Sequence, residues 1–534
     1  MAGVTENNSS LRSIILQRNS GVVMSDSVQT IGKIATDKTL SAAQKAHLLA
    51  LEAENLLPYP SLDTDTAEAL EARVICDMFE GHAPYRPRYV LPDYSVVLQK
   101  GSEYLELLPP QSLDDAISSL MIAYHHVPSI TGMPVYIGHL DQLLLPFCEG
   151  VGDEALYSAL KRFWRYLDRT LPDAFMHANI GPTDNRVART ILRIDAELKQ
   201  TAPNLTFLYD PAVSGDEILE LATRNIVECS KPHIANHPVH VREFDERGYG
   251  IVSCYNVLPV AGGASTLTRV NLKEVALRSE NEADFFDRAL PYYVELNARL
   301  AQSRIDFLFD ESNFFSSFLV DEGWIEKDRF TSMFGVFAMA ECVDTLQTKA
   351  GRDGRYGQDD EANELGLRIS RTIAELVAAR PMDKVWRGYA MLHAQAGLSI
   401  DVGLTPGVRI PYGAEPDPVS HIEALAAHHR YYPSGISEIL TIDETIKGNP
   451  EALLQLCRGA FDVGFREFTA NVASNDLVRV TGFMVRLSDV KKFNEKRGSR
   501  TNTTVLGAEA ADNVGILERR PRVVSNELYA GYGK

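Results

Sequence analysis

From about residue 110 onward, short apolar runs alternate with amphipathic ones, and this alternation narrows the fold more than any other feature of the 534-residue chain. Asn204 to Tyr209 (NLTFLY) reads as a strand. Ser214 follows, with Glu217 three residues on, a capping-box pattern that would satisfy the first free amides of a helix running to about Glu228. A second strand, Tyr249 to Ser253, ends at Cys254. Further on, Asn449 precedes Pro450, and Leu454, Cys457, Phe461 and Phe465 share one helical face. Strand–helix alternation of this kind specifies an α/β architecture, here read as a barrel. Chemistry in such folds sits at strand ends and in the loops that follow them. The first 70 or so residues read as polar and helical up to the Pro58-Tyr59-Pro60 break.

Composition removes several classes of function. Lys and Arg total 53 against 72 Asp and Glu, a formal charge of −19. That balance opposes a chain whose work is gripping phosphate backbones, so no nucleic-acid partner is expected. No apolar run approaches the roughly 18 residues of a membrane-spanning helix. Met1 to Arg12 is polar, with no apolar core of a secretory signal, which predicts a cytoplasmic protein. The six cysteines form no C-x-x-C pair, which argues against a zinc site or a disulfide framework.

Two stretches carry the chemistry. The first is Arg479-Val480-Thr481-Gly482-Phe483 within RVTGFMVRL. The second begins at Ser253-Cys254-Tyr255-Asn256, passes Pro259, Gly262 and Gly263, and continues to Arg269-Val270-Asn271-Leu272. The first string resembles the R-V-x-G-[YF] signature of the glycyl radical enzymes. The second resembles the cysteine finger of pyruvate formate-lyase and anaerobic ribonucleotide reductase. The residue types suit that chemistry. A backbone Cα radical is stabilised when planar between an amide nitrogen and a carbonyl, and glycine has no Cβ to oppose planarity. A neutral thiol exchanges hydrogen reversibly with such a centre, which calls for an apolar setting unlike that of a nucleophilic thiolate.

Ile137-Gly138-His139 and Pro203-Asn204-Leu205-Thr206 resemble further segments of this superfamily. Ile234-Ala235-Asn236-His237, the SCYN string and Arg409-Ile410-Pro411-Tyr412-Gly413 resemble motifs of its YjjI family. The resemblance covers about residues 110 to 510. It implies a ten-stranded α/β barrel with surrounding helices, in which Cys254 on a finger loop and Gly482 on a second loop meet. The domain expectation is a mainly helical region over 1–105 packed on a barrel over 106–534. The resemblance further implies a radical at Gly482, installed by a separate S-adenosylmethionine/iron–sulfur activating enzyme. Cys254 would abstract hydrogen from a small polar substrate, no metal would be held by the chain itself, and the protein would be a homodimer.

Other residues are weighed beside these two. Cys342 reads as core, as do Cys229 and Cys457. Glu341, inside an apolar helix, is a candidate acid or base facing the lumen. His233, His237 and His240 lie close together, but Pro232 and Pro238 oppose the helix that an i, i+4 metal pair would need. His233, His139 and Asn256 are candidate acid/base or substrate contacts beside Glu341, with ordinary structure the weightier reading for the His233, His237 and His240 group. Dehydratases and lyases of the superfamily carry Cys-x-Glu, whereas Asn256 stands here and cannot take a proton. Pyruvate formate-lyase has adjacent cysteines, whereas Ser253 precedes Cys254. The competing expectation is a catalytically inactive barrel that binds a metabolite or a partner.

Overall fold

The computed structural model describes residues 23–495 except 39, 41, 55–58, 79–84, 130–133, 172–174, 395–400, 402, 437 and 481. The tail beyond Arg500, with its Val523-Val524-Ser525-Asn526 string, lies outside the described residues. Within them the strands in chain order are β1 (Ile75–Cys76), β2 (Tyr89–Leu91), β3 (Tyr136–His139), β4 (His177–Ile180), β5 (Asn204–Tyr209), β6 (His233–Asn236), β7 (Tyr249–Val252), β8 (Asn256–Pro259), β9 (Gly262–Asn271), β10 (Phe330–Phe337), β11 (Met391–His393), β12 (Ile439–Ile442), β13 (Glu467–Val472), β14 (Leu477–Arg479) and β15 (Met484–Arg486). They form an α/β fold, as the alternation predicts.

The six-stranded sheet has the order β12-β13-β6-β5-β4-β3. Strands β3 to β6 are parallel, and β13 runs antiparallel to β6. The five-stranded sheet has the order β1-β9-β10-β11, with β2 also on β9. Strands β9 to β11 are parallel, while β1 and β2 oppose β9. No single ladder joins the two sheets among the described residues. One seam is bridged by backbone. Ser434 N donates to Leu392 O at 3.0 Å and Ala394 N to Gly435 O at 2.9 Å, just ahead of β12.

The βαβ units follow from local chemistry. Asn185 caps the helix Arg186–Leu198, its Oδ1 accepting from Val187 N and Ala188 N. That helix buries Val187, Ala188, Ile191, Leu192 and Ile194 on one side. Next comes β5, whose Leu205 and Phe207 enter the main core with those helical residues. The expected capping box is not formed. Ser214 instead spends its hydroxyl on Pro182 O and Asp210 N, and the helix Asp216–Cys229 begins after Gly215 without a side-chain cap. Asn449 does occupy the position before the helix Pro450–Asp462, but its side chain caps nothing.

Period-two alternation puts the other residues of these strands on the inner face. His177 and Asn179 of β4, Asn204 and Thr206 of β5, His233 of β6, and Glu467, Thr469 and Asn471 of β13 are all buried polar groups. A separate apolar cluster fills part of this interior. In it Leu208 and Ala235 meet Tyr249, Ile251, Tyr255 and Val257 of the hairpin β7–β8. Asn179 fixes that hairpin by its main chain, donating to Ile251 O and accepting from Ile251 N, both at 2.8 Å.

Candidate functional site

Strands β7 and β8 pair antiparallel with Val252 opposite Asn256, so Ser253, Cys254 and Tyr255 form the tip of the hairpin. Ser253 and Tyr255 both have positive φ, 48° and 58°, a conformation that costs energy in residues with a Cβ and forces the thiol outward between them. Asn256 closes the turn, its Nδ2 donating to Val252 O at 3.0 Å. This bond shapes the tip. Cys254 is half-buried, while the other five cysteines are buried. Burial pushes the Cys229 thiol up to about 12 and raises that of Cys342 well above its ordinary value.

The second hairpin, β14–β15, carries Gly482 in its turn. Asn471 grips it by the main chain, accepting from Arg479 N at 2.8 Å and donating to Arg479 O at 2.7 Å. Asn204 donates to Gly482 O at 3.1 Å and accepts from Arg479 Nη1 at 3.0 Å. Val478, Val480, Phe483 and Val485 form a small core of their own with Phe175. The result is close contact between the two tips. A Cβ built on Gly482 would stand 2.5 Å from Cys254 N and 2.6 Å from its Cα, and nearer still to its Sγ. Only a residue without a Cβ fits here, and its Cα lies within van der Waals reach of the sulfur.

Around the tips lie further groups, among which Tyr89, His177 and Glu467 belong to no motif read from the sequence. Burial raises the Tyr89 phenol, which neighbours Arg88, Cys254 and Ser253. Tyr255 is fully buried and lies ring to ring with His233, centroids 4.2 Å apart. Behind it runs a chain of titratable groups. His177 Nε2 is 2.6 Å from Thr206 Oγ1, which is 2.9 Å from His233 Nδ1. His233 Nε2 is 2.5 Å from Glu467 Oε2, and His240 Nε2 is 3.4 Å from Glu467 Oε1. Burial holds the Glu467 carboxyl well above the usual carboxylate range and the three imidazoles well below theirs. Burial thus favours the neutral forms of carboxyl and rings alike. One pattern in the sequence could have exposed Glu467, since Glu467-Phe468-Thr469-Ala470-Asn471-Val472 alternates polar and apolar.

The remaining candidates have partners of their own. His139 binds Tyr249 O at 2.8 Å at the base of the finger, a strand's length from the tip, and lines an outer cleft with His237 and Gln142. Burial lowers its imidazole to about 4. Glu341 is fully buried in the first turn of the helix Met339–Lys349 and accepts from Thr405 Oγ1 at 2.7 Å. Burial raises its carboxyl. His237 bonds the Tyr249 hydroxyl at 2.8 Å.

The fold is that of the glycyl radical enzymes. An anaerobic ribonucleotide reductase superposes with a TM-score of 0.65 at 12% identity, over 90% of this chain and 93% of that one. The hydroxyproline dehydratase of Clostridioides difficile gives 0.66 at 12% identity, over 91% and 88%. The B12-independent glycerol dehydratase of Clostridium butyricum gives 0.61 at 12%, over 87% and 83%. Residues 40–522 match the family described as glycyl radical enzyme YjjI-like. The chain is 59% identical to protein YjjI of Escherichia coli K12 over 93% of its own length and 97% of that protein's. A Haemophilus influenzae Rd protein is 37% identical over 93% and 98%. The chain belongs to the YjjI-like family of glycyl radical enzymes, and it is an enzyme of radical chemistry.

Proposed function

We propose that Gly482 is the residue that stores the radical and Cys254 the one that passes it to substrate. The observation that carries this reading is the contact between the two tips, which leaves no room for a Cβ at residue 482 beside the Cys254 sulfur. An activating enzyme with an iron–sulfur cluster and S-adenosylmethionine removes one α-hydrogen from Gly482, and that hydrogen leaves on the deoxyadenosyl group. In turnover, a hydrogen atom moves from Cys254 Sγ to Gly482 Cα, leaving a thiyl radical. The thiyl takes a hydrogen atom from a C–H bond of a small polar substrate. The rearranged radical takes the atom back from the thiol, and the thiyl recovers a hydrogen from Gly482. The sequence returns every atom and electron it borrows, so the protein's own backbone serves as its cofactor.

The inner wall supports this use. Buried residues enclose the meeting point of the tips, and excluding water and oxygen protects a radical intermediate. We assign the protein to the cytoplasm, acting as a homodimer with the activating enzyme as its transient partner. Among the described residues no helix is long and apolar enough to cross a membrane. Electron paramagnetic resonance tests the proposal. The anaerobic protein, after incubation with its activating enzyme, S-adenosylmethionine and a reductant, is expected to show a doublet that collapses when the glycine α position is deuterated. A radical that persists in Gly482→Ala would overturn the assignment.

A further inference from the structure

Among the described residues, the inner wall holds a buried charge, that of Arg479, with no carboxylate paired to it. Three arginines rank among the largest fully buried side chains, namely Arg269, Arg304 and Arg479. Arg269 pairs with Asp401 at 2.8 Å and Arg304 with Asp77 at 3.0 Å. Arg479 is different. Its Nη1 donates to Asn204 Oδ1 at 3.0 Å and its guanidinium lies 5.3 Å from the centre of the Tyr255 ring. Its Nε and Nη2 are buried without a hydrogen-bond partner, and among the described residues no carboxylate pairs with it. An isolated buried cation is costly, by several kcal/mol, and persists where function requires it.

The nearby carboxyls are engaged elsewhere. Glu467 is shared between His233 and His240. Glu438 lies 3.7 Å from Arg409 Nε and 3.6 Å from His421 Nε2. Glu415 is held above the usual carboxylate range by burial, with Glu438 adding to the effect. Arg479 also lines a small cavity of about 50 Å³, together with Asn471, Arg409, Tyr412, Thr405, Thr441, Glu415 and Glu438. That space suits a few small polar atoms, such as those of one carboxylate or phosphate.

We infer that the substrate carries an anionic group, a carboxylate or a phosphate, and that Arg479 binds it. Asn204 links this guanidinium to the Gly482 carbonyl, so an anion held there is one side chain removed from the Gly482 peptide. The group would supply the charge that the wall lacks. Tyr412 and Asn471 would offer further hydrogen bonds from the same cavity. The inference rests on the radical reading only in calling the bound molecule a substrate, because binding itself needs no radical.

The test uses full-length protein that has never been activated. Isothermal titration compares acetate with its neutral isostere acetamide, and inorganic phosphate separates the two anion classes. Acetate or phosphate is expected to bind saturably, with acetamide weaker by roughly tenfold or more, as loss of a charged hydrogen bond implies. Arg479→Gln is expected to lose about the same factor and Arg479→Lys to recover part of it. Anions that bind no better than acetamide, or that bind a folded Arg479→Gln protein unchanged, overturn the inference. If the Gln variant does not fold, bromide-soaked crystals of the native protein decide. Anomalous density against Arg479 supports the site, and none there overturns it. Anion binding in a protein that never gives a glycyl doublet would instead remove the radical assignment and leave this one standing.

Discussion

Replacing Gly482 by alanine separates geometry from chemistry in a single substitution. The added methyl would sit 2.5 Å from Cys254 N and 2.6 Å from Cys254 Cα, against an ordinary contact of at least 3.4 Å, so one hairpin must retreat by nearly an ångström. Both hairpins are tied by their main chains, through Asn179 on one side and Asn204 and Asn471 on the other. The retreat is therefore paid in strained or broken hydrogen bonds. Overpacking of this kind costs about 1–3 kcal/mol. The denaturation midpoint of unactivated Gly482→Ala, measured anaerobically, should fall accordingly. Adding Cys254→Ala should restore little of it, because two of the three close contacts are to backbone that alanine keeps. The coupling energy in that double-mutant cycle is expected to stay below about 1 kcal/mol. A Gly482→Ala protein as stable as the native one, or full rescue by Cys254→Ala, would refute the argument from backbone contact.

The other expectations are more direct. Cys254→Ser should keep the glycyl doublet after activation and abolish turnover, and loss of the doublet would mean that Cys254 shapes the loop rather than relaying the radical. Activated protein exposed to air should be cut at Gly482, releasing a piece that runs from about Phe483 to Lys534 and is seen by mass spectrometry. Burial favours the neutral Glu467 carboxyl, so Glu467→Gln should shift stability by less than about 1 kcal/mol, whereas breaking a true ion pair with His233 would lose about 3–5 kcal/mol. The imidazoles of His177, His233, His240, His393, His428 and His429 are all lowered by burial, the last five lying in β6, the helix His237–Val241, β11 and the segment Ala427–Tyr431. Below pH 6.5 the unfolded chain binds protons that the folded chain refuses, so each ring removes up to about 1.4 kcal/mol of stability per pH unit. Raised carboxyls such as Glu467 and Glu341 act in the opposite sense. With six rings against them, the denaturation midpoint should fall from pH 7 to pH 5.5, and a flat profile would contradict the buried neutral histidines.

What the chain discloses before folding depends on the range of the interaction. The strand Asn204–Tyr209 and the helix after it were legible from period and length, because each is stabilised by its own pattern of buried residues. The Ser214 cap was misread because its hydroxyl is claimed by Pro182 and Asp210, partners that only the folded loop supplies. At the site, Gly482 and Cys254 stood out through their motifs, and Asn204 lay within a recognised string without revealing what it held. Tyr89 and Asn179 left no mark in the sequence, and Glu467 only that of an alternating strand, for a different reason. Each meets the site through sheet register, and register joins residues far apart in the chain. Asn256 could be excluded as a base from its chemistry, but only the closed turn shows what it does instead.

Three asparagines hold the two hairpins that meet at Cys254 and Gly482, and each bonds at least one peptide group of a hairpin. Asn179 contacts both polar atoms of Ile251, Asn471 both of Arg479, and Asn204 the carbonyl of Gly482. A peptide group is the same whatever residue bears it. Substitutions within the hairpins should therefore be tolerated wherever packing allows, while inserting or deleting one residue should not. From Asn471 to Gly482 the chain acts as a ruler, and its length is under stricter constraint than most of its letters.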